Sequence, residues 1–326
     1  MEPTERNRLE AFRQLRREVR QSGEYLIVGI DIAKDRHHAF FGTARGKTLL
    51  RQLVFSNDHE GFRKLLDQAE SLRVQDGLKK VVYGMEPTAN YHKPLGEYLI
   101  EFGKMVVLVS GVTVAKNRES LDGRWDKHDG KDSANVADLI SQGKCLYYEH
   151  PSAELRGLRG LLSLKRRLKK QEHGYRIRIR NHLIAQYFPE MDRSYEGLGK
   201  EGLSIVKWCW TASEIARLDV DPFIERVSTR GTSMKKRRRL EEIWEKAAES
   251  IGCESVPGVE HEARVMVDGL KQVREMIQET DQRIAGLCKE FPEYEFLLTI
   301  PGFGPDVSAK VLGAIGDADR FLNGRQ

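Results

Sequence analysis

Two short apolar runs, each followed directly by a carboxylate, limit most strongly how the first half of this chain can fold. One run is Leu26–Ile30, which precedes Asp31, and the other lies within Lys79–Met85, which precedes Glu86. Short apolar runs bounded by polar residues are typical of strands that are buried on both faces. Each acid is therefore predicted to stand where a buried strand ends, although a polar residue there is also an ordinary way for a strand to enter a turn.

The segments around these runs predict an α/β domain with a mixed sheet. Asn57 or Asp58 is a suitable N-cap for a helix whose apolar residues recur at spacings of three and four. The runs His37–Gly42 and Thr48–Phe55 are predicted to pair as antiparallel strands. A helix is predicted at Pro94–Phe102 and a later strand at Lys104–Ser110. Helices that alternate with later strands are typical of α/β folds.

A further pair of acids lies in the stretch DKHDGKDS at residues 126–133, directly before Ala134–Ile140, which has helical spacing. Asp129 and Asp132 are three residues apart, so both carboxylates point from the same side of the first helical turn. Acids at a helix N-terminus also have a purely structural explanation, because negative charge there offsets the helix dipole.

These four acids together predict one metal site. Acids at two strand ends lie at the sheet edge where sites form in open α/β folds. Four converging carboxylates would raise one another's pKa unless hard cations bound between them, and oxygen-only ligands suit Mg²⁺ or Mn²⁺. Two such ions about 4 Å apart can stabilise the attacking and leaving oxygens of a phosphodiester. The order of the acids is the pattern of the ribonuclease-H-like nuclease fold, with catalytic and metal-binding residues at Asp31, Glu86, Asp129 and Asp132.

Three sequence boxes resemble those of the DEDD-type insertion-sequence transposases. They are GIDIAK at Gly29–Lys34, EPTANYHKPL at Glu86–Leu95 and KHDGKDSANVADL at Lys127–Leu139. This family has a RuvC-like N-terminal domain, is related to the Piv invertase, and has members recognised as bridge-RNA-guided recombinases. The resemblance places the family's metal-binding acids on the same four positions, Asp31, Glu86, Asp129 and Asp132.

The chain departs from the family pattern at a few positions that leave every acid in place. Pro87 and Ala89 replace a small residue and a glycine, and His128 replaces a hydroxyl residue. Ser110 and Gly111 stand where Asn-Pro is common. The resemblance implies DNA as a partner, a guide RNA in the RNA-guided members, a dimer or tetramer of identical subunits, and a place with the nucleoid of a bacterial or archaeal cell.

Composition favours a globular part joined to long, solvated helices. The chain has 326 residues, enough for two domains, and 32% of them are charged against 40% hydrophobic. The four cysteines form no C-x-x-C pair and are typical of reduced thiols in a cytosolic protein. No apolar run approaches the length of a membrane span, so a cytoplasmic protein without a membrane partner is predicted.

Beyond Pro151 the chain becomes helical and basic. Leucines at helical spacing alternate with cations up to Arg180, and helical periodicity returns at Arg264–Lys289, which predicts the two arms of a long helical pair or an inter-subunit coiled coil. A charge run is ordinarily a solvated face, but charge of one sign at this density favours a polyphosphate partner. The cations predicted to contact nucleic acid are Lys34, Lys127, Arg166, Arg167, Lys169, Lys170, Arg176, Arg178, Arg180, Lys235, Lys236 and Arg237.

The last stretch, Phe296–Gly316, has the pattern of a helix-hairpin-helix, or of an ordinary turn between helices. Gly302 and Gly304 would let backbone N–H groups approach a phosphate. In the family this stretch opens a C-terminal transposase domain with a serine nucleophile. No such segment follows Gln326, so we expect weak or absent recombination by this polypeptide alone.

The predicted architecture has four parts: a charged arm (1–24), a ribonuclease-H-like, RuvC-like α/β domain (25–150), a basic helical or coiled-coil region (151–290), and a helix-hairpin-helix-like start of a transposase domain (291–326). Three functions fit it. The first is a Mg²⁺-dependent DNA recombinase of a mobile element, with or without a guide RNA. The second is a two-metal nuclease or junction resolvase that uses water. The third is a nucleic-acid-binding remnant without catalysis.

Overall fold

A computed structural model describes residues 8–20, 22–121, 129–148, 151–192, 199–209, 211–228 and 232–316. This part of the chain divides into two units, of which the first extends to Pro151 and the second runs from Ser152 to Gly316. The division lies next to the predicted boundary between residues 150 and 151. None of the helices described is both long and apolar enough to cross a membrane.

The first unit is built on a six-stranded sheet. Its strands are β1 (Tyr25–Asp31), β2 (Arg36–Thr43), β3 (Thr48–Ser56), β4 (Lys80–Met85), β5 (Met105–Leu108) and β6 (Leu146–Tyr147). They lie in the order β3-β2-β1-β4-β5-β6, and β4 is parallel to both β1 and β5 while the other neighbouring pairs are antiparallel. The predicted α/β domain with a mixed sheet is confirmed. Strand β6 has no counterpart in the prediction, because two residues show no pattern.

Five helices accompany this sheet among the described residues. They are α1 (Arg8–Val19), α2 (His59–Gln75), α3 (His92–Glu101), α4 (Gly111–Leu121) and α5 (Asp129–Ser141). Of the two candidate N-caps for α2, Asp58 is the one that acts, because its Oδ1 accepts a hydrogen bond of 2.7 Å from the backbone N–H of Gly61. Helix α1 lies in the predicted charged arm, and its Leu15 and Val19 are buried against the sheet.

Strand β1 is buried because both of its edges and both of its faces are covered. Leu26, Val28 and Ile30 face the core formed with α2 and α3, whereas Ile27 faces the core formed with α1, α4 and α5. Side chains alternate between the two faces of a strand. Asp31 therefore belongs to the face of the sheet that is covered by α4 and α5.

Gly29 lets helix α5 lie directly on β1. A Cβ atom at this position would stand 2.2 Å from the carbonyl oxygen of Ser133 and 2.5 Å from the backbone nitrogen of Ala137. No real Cβ atom approaches backbone atoms so closely, so a side chain here is incompatible with the observed packing. The absence of a side chain at Gly29 thus fixes how near the first turns of α5 come to the strand that carries Asp31.

The second unit is organised around two long helices, α6 (Ala153–Arg178) and α11 (Val259–Cys288). The two run antiparallel, because Gly157 lies beside Leu287 whereas Tyr175 lies beside Gly269. This is the predicted long helical pair, formed here within one chain. A coiled coil between subunits stays a prediction.

Helix α6 continues into a π-helix, Ile179–Ile184, that the sequence pattern does not reveal. Shorter elements follow between the two long helices and share one apolar core with them. A single short α-helical turn, Ala185–Tyr187, comes first, and the longer α-helices are α7 (Lys200–Trp208), α8 (Ala212–Ala216), α9 (Val220–Val227) and α10 (Met234–Ala247). After α11 come α12 (Pro292–Leu298) and α13 (Pro305–Ile315). Arg159 of α6 donates from Nε to the carbonyl oxygen of Gly313, 2.7 Å away, which anchors α13 to α6.

Replacement of Gly29 by alanine tests the close packing of α5. We expect Gly29→Ala to lower the free energy of unfolding by about 1–3 kcal/mol or more, the range for overpacked cores, because the new methyl group meets backbone rather than a movable side chain. Urea unfolding followed by circular dichroism measures the change.

Gly160→Ala is the matched control, because Gly160 lies within α6 and a Cβ there meets nothing within 4 Å. We expect this variant to be unchanged or stabilised by up to about 1 kcal/mol, since alanine favours a helix over glycine. Equal stability of Gly29→Ala and the unchanged protein would contradict the packing argument.

Candidate active site

The parallel register of β1 and β4 brings two of the predicted acids side by side. Ile30 pairs with Met85, so the next residues along the two strands are Asp31 and Glu86. Residues in register on neighbouring strands project from the same face. Both acids are half-buried. The sheet therefore places two carboxylates at one edge and on one face, as the sequence predicted for each strand end.

Helix α5 carries the other two predicted acids on the same face of the sheet. The carbonyl oxygen of Ser133 packs on Gly29, which precedes Asp31 by two residues and shares its face. Asp132 is the residue before Ser133 and is 4% exposed. Asp129 begins α5, and its side chain lies outside the described residues. In the part of the chain that is described, no three His, Cys, Asp or Glu side chains are grouped closely enough to hold a metal ion. Convergence of all four acids stays a prediction.

Asp132 is paired with an arginine that the sequence analysis did not single out. Arg118 of α4 places Nη2 at 2.6 Å from Oδ1 of Asp132, with side-chain exposures of 31% and 6%. The same Oδ1 and the Nε of Arg118 have no hydrogen-bond partner of acceptable geometry among the described residues. The 2.6 Å distance shows that the two groups attract each other, and the lack of a hydrogen bond between them shows that they are poorly aligned. The contact is therefore better described as an ion pair than as a hydrogen bond.

Helix α4 contacts two of the predicted acids. Its first residue, Gly111, lies so near Glu86 that a Cβ there would stand 2.7 Å from Oε1 of the glutamate. Two turns later, Arg118 pairs with Asp132. The sequence analysis noted Gly111 as a departure from the family pattern. A larger residue at this position would require the end of the Glu86 side chain to shift.

A network of side-chain amides fixes α4 to α5. Nδ2 of Asn117 donates to Oδ1 of Asn135 at 2.7 Å and to Oδ2 of Asp138 at 2.8 Å. Asn135 in turn donates from Nδ2 to the carbonyl oxygen of Val114, 2.8 Å away. Asn135 is 2% exposed, and buried amides that are satisfied in this way hold helices in one register.

The loop after Asp31 is held by two further side chains. The backbone N–H of Ala33 donates to Nδ1 of His37 at 3.2 Å, and Nδ2 of Asn57 donates to the carbonyl oxygen of Lys34 at 2.9 Å. His37 is fully buried, and this burial lowers its pKa, so the ring stays neutral and its Nδ1 can accept. Lys34 is exposed on this fixed loop, close in sequence to the acid that ends β1.

The predicted nucleic-acid contacts in the second unit fall into exposed and paired groups. Exposed cations of α6 and the π-helix include Arg166, Arg167, Lys169, Lys170, Arg176, Arg178 and Arg180. Lys169 also pairs with Glu172 at 3.0 Å, and Arg180 pairs with Asp192 at 2.6 Å. Arg176, Arg180, Arg274 and His173 line a cavity of about 430 Å³ beside the π-helix. Lys127 lies outside the described residues.

The predicted basic cluster of α10 is largely engaged with acids. Lys236 places Nζ at 2.9 Å from Oε2 of the buried Glu201, and Arg237 pairs with Asp221 at 2.8 Å. Lys235 is exposed. A structural role explains Lys236, because a buried carboxylate needs a nearby cation. Contact of these residues with nucleic acid stays a prediction.

The two glycines of the predicted helix-hairpin-helix lie in the turn between α12 and α13. Gly302 has a φ of +87°, which favours glycine, and Gly304 precedes α13 as an N-cap without a side-chain hydrogen bond. The two helices and the turn that joins them are present, and the helix-hairpin-helix itself stays a prediction. Phosphate binding at these glycines stays a prediction.

Comparison with known proteins assigns the part of the chain that carries these acids to a family. The family model of the DEDD transposases of the IS110 type, described as a transposase, matches residues 28–189. Residues 28–189 form an IS110-type DEDD transposase domain. All four predicted acids lie within the IS110-type match, which extends from β1 into the second unit. The predicted relationship to the DEDD-type insertion-sequence transposases is confirmed.

A relative supports the same assignment over a longer stretch of the chain. The insertion element IS116 uncharacterized 44.8 kDa protein of Streptomyces clavuligerus is 24% identical over 304 residues. The alignment covers 90% of this chain and 72% of the relative. The two comparisons thus support a transposase of a mobile element, and a transposase domain implies an enzyme that cuts or recombines DNA, with DNA as its partner.

Because His37 is buried and neutral, we expect the free energy of unfolding to fall as the pH is lowered. Its pKa is lowered in the folded state, so the unfolded chain binds the proton more readily, and folding loses free energy as the pH falls below the unfolded value of about 6.5. Burial also lowers the pKa of His92, which adds to the effect. We expect the urea midpoint to fall between pH 7 and pH 5.

His37→Asn isolates the contribution of His37, because asparagine keeps an acceptor for the N–H of Ala33 and has no charge to gain. This variant should lose less of its urea midpoint over the same pH range, and the remainder then includes the share of His92. A pH dependence equal to that of the unchanged protein would rule out His37 as a source.

Proposed function

We propose that this IS110-type transposase cuts and exchanges DNA strands with a divalent metal ion, Mg²⁺ or Mn²⁺, held by Asp31, Glu86, Asp129 and Asp132. The observation that carries the proposal is the parallel register of β1 and β4. It sets Asp31 beside Glu86 at one edge of the sheet, on the face where α5 places Asp132.

The donor chemistry of this face fits such an ion. The candidate ligands are carboxylate oxygens, which suit hard cations. Oδ1 of Asp132 is buried next to a cationic group yet lacks a well-aligned hydrogen bond among the described residues, so it is suited to accept another cation. A bound divalent ion would supply stabilisation of the oxygens that attack and leave the phosphodiester.

The protein's own residues would hold and orient the DNA. Lys34 stands on a loop fixed by His37 and Asn57, so its ammonium group can meet a phosphate near Asp31 without a large cost in loop ordering. Carboxylates that end rigid strands also lose little freedom when they bind. Gly111 leaves room for the Glu86 carboxylate at the N-terminus of α4.

The second unit would bind the nucleic-acid backbone through the exposed cations of α6 and the cavity beside the π-helix. Phosphate contacts of this kind depend on charge rather than on base sequence, so they serve DNA and a guide RNA alike. We also propose that the protein binds a guide RNA and assembles into a dimer or tetramer through the long helical pair. It would act at the nucleoid.

Hydrolysis by water is the second candidate reaction. It requires only the carboxylates and the metal ion. Ser308, which lies in the predicted helix-hairpin-helix, is fully buried and is 3.5 Å from the carbonyl oxygen of Phe303, so it is poorly placed to act as a nucleophile. Detection of a covalent protein–DNA product after denaturation separates strand transfer by a protein nucleophile from hydrolysis.

Substitution of the acids tests the proposed chemistry. We expect Asp31→Asn, Glu86→Gln and Asp132→Asn each to lower Mn²⁺-dependent cleavage of a branched DNA at least about a hundredfold, the scale of losing one charge-stabilising group in an active site. Asp67→Asn is the control, because Asp67 is exposed on α2 against the opposite face of the sheet. Cleavage by Asp31→Asn and Glu86→Gln at the rate of the unchanged protein would refute the proposed site.

Removal of three exposed cations tests the nucleic-acid face of α6. We expect the combined substitution of Arg166, Arg167 and Lys170 by glutamine to weaken DNA binding and to reduce the slope of log K against log salt, by about 0.9 for each lost phosphate contact. Fluorescence anisotropy with labelled duplex DNA at several salt concentrations measures both quantities.

The control variant removes an equal number of positive charges from a different part of the protein. Arg51, Arg63 and Lys144 are exposed residues of the first unit, and their combined substitution by glutamine should change the salt slope less. Equal slopes for the two triple variants would show that net charge alone, and not the α6 face, governs binding.

A further inference from the structure

The ion pair between Arg118 and Asp132 joins two elements of the candidate site. Arg118 comes from α4 and Asp132 from the first turn of α5, and their charged groups approach to 2.6 Å. The Asp132 side chain is 6% exposed, whereas that of Arg118 is 31% exposed. The carboxylate is therefore the buried partner and the guanidinium reaches it from the solvent side.

A carboxylate as buried as that of Asp132 needs a positive charge close by. Without one it would lose hydration that nothing replaces, and removal of one member of a buried pair is strongly destabilising. Arg118 supplies this charge in the protein without metal. The function of the pair is then to hold the Asp132 carboxylate in place before a metal ion binds.

The alignment of the pair makes it replaceable. A guanidinium that grips a carboxylate with two parallel hydrogen bonds is held by geometry as well as by charge. Here neither Oδ1 of Asp132 nor Nε of Arg118 has a well-aligned partner among the residues described. The attraction is therefore mainly one of charge, and a divalent cation offers the same oxygen a larger charge.

Helix α4 does not depend on this pair for its position. Asn117, the neighbour of Arg118, donates to both Asn135 and Asp138, and Asn135 donates to the carbonyl oxygen of Val114. The guanidinium can therefore leave Asp132 while the backbone of α4 stays where it is. A side chain that can move on a fixed helix is suited to give way to another cation.

We propose that Arg118 is the counter-cation of Asp132 in the metal-free protein and competes with the divalent ion for the Asp132 carboxylate. This inference rests on the proposed function, because it takes Asp132 as a metal ligand. It makes Arg118 a positioning residue rather than a catalytic one. It also implies that Arg118 raises the stability of the metal-free fold and lowers the affinity of the site for the metal ion.

Titration with Mn²⁺ alone, without DNA, tests the competition. Arg118→Gln removes the charge and keeps a polar side chain. We expect it to bind Mn²⁺ at least about fivefold more tightly than the unchanged protein in calorimetry, the lower end of couplings between interacting sites. Without metal its melting temperature should fall, and Mn²⁺ should raise that temperature more than it does for the unchanged protein.

Lys116→Gln is the matched control, because Lys116 is an exposed cation of the same helix. It should match the unchanged protein in Mn²⁺ affinity and in melting temperature. A gain in affinity as large as that of Arg118→Gln would assign the effect to net charge and overturn the proposal. If Arg118→Gln lowers the melting temperature but leaves Mn²⁺ affinity unchanged or weaker, the ion pair is only structural and the proposal is also overturned.

Asp132→Asn separates failure of this inference from failure of the proposed site. If Asp132→Asn binds Mn²⁺ as the unchanged protein does, the proposed metal site itself is wrong. If Arg118→Gln does not fold without metal, recovery of the fold by Mn²⁺ and in the double variant Arg118→Gln with Asp132→Asn supports the proposal. Mn²⁺ would pair with the buried charge of Asp132, and the asparagine would remove that charge. Failure of both to restore the fold overturns it.

Discussion

The packing of helix α5 on Gly29 is the contact on which the arrangement of the candidate site depends. The carbonyl oxygen of Ser133 occupies space that any side chain at Gly29 would fill. Two residues further along β1 stands Asp31, and one residue before Ser133 stands Asp132. Because the helix lies so close to the strand, acids separated by about a hundred positions in the chain are carried by adjoining pieces of backbone. The same approach lets α5 cover Gly84 of β4, the strand that leads to Glu86.

Carboxylates that lie close together in a partly buried site repel one another and lose hydration, and other groups of the first unit lie beside them. Burial favours the neutral form of a carboxyl group, and neighbouring carboxylates add repulsion. Helix α4 contributes groups that contact two of these acids. It pairs Arg118 with the buried Asp132, leaves space for Glu86 at Gly111, and is fixed to α5 by the amides of Asn117 and Asn135. The face that would hold a cation is thus built around cationic and amide groups. The second unit, described by itself, presents its cations mainly along α6 and at the π-helix.

Strands β1 to β5 and the positions of Asp31 and Glu86 at strand ends were accessible from the sequence, whereas α4 was not. Strands β1 and β4 are uninterrupted apolar runs, and such runs are strong local signals. Helix α4 has one fully buried apolar residue among those described, Val114, and its position comes from polar contacts of Asn117 and Arg118. Polar contacts across the fold leave no periodic pattern in a sequence. The π-helix was hidden for a related reason, since its residues continue the pattern of α6.

The sequence by itself determined the family, the mixed α/β class and the identity of the candidate acids, because these follow from short local patterns and from boxes of neighbouring residues. Only the tertiary structure decided that Arg118 pairs with Asp132, that Asp58 rather than Asn57 caps α2, and that Lys236 serves the buried Glu201. The physical reason is range. Hydrophobic periodicity acts between residues a few positions apart, but the choice of a charge's partner depends on distance in space, which packing alone sets.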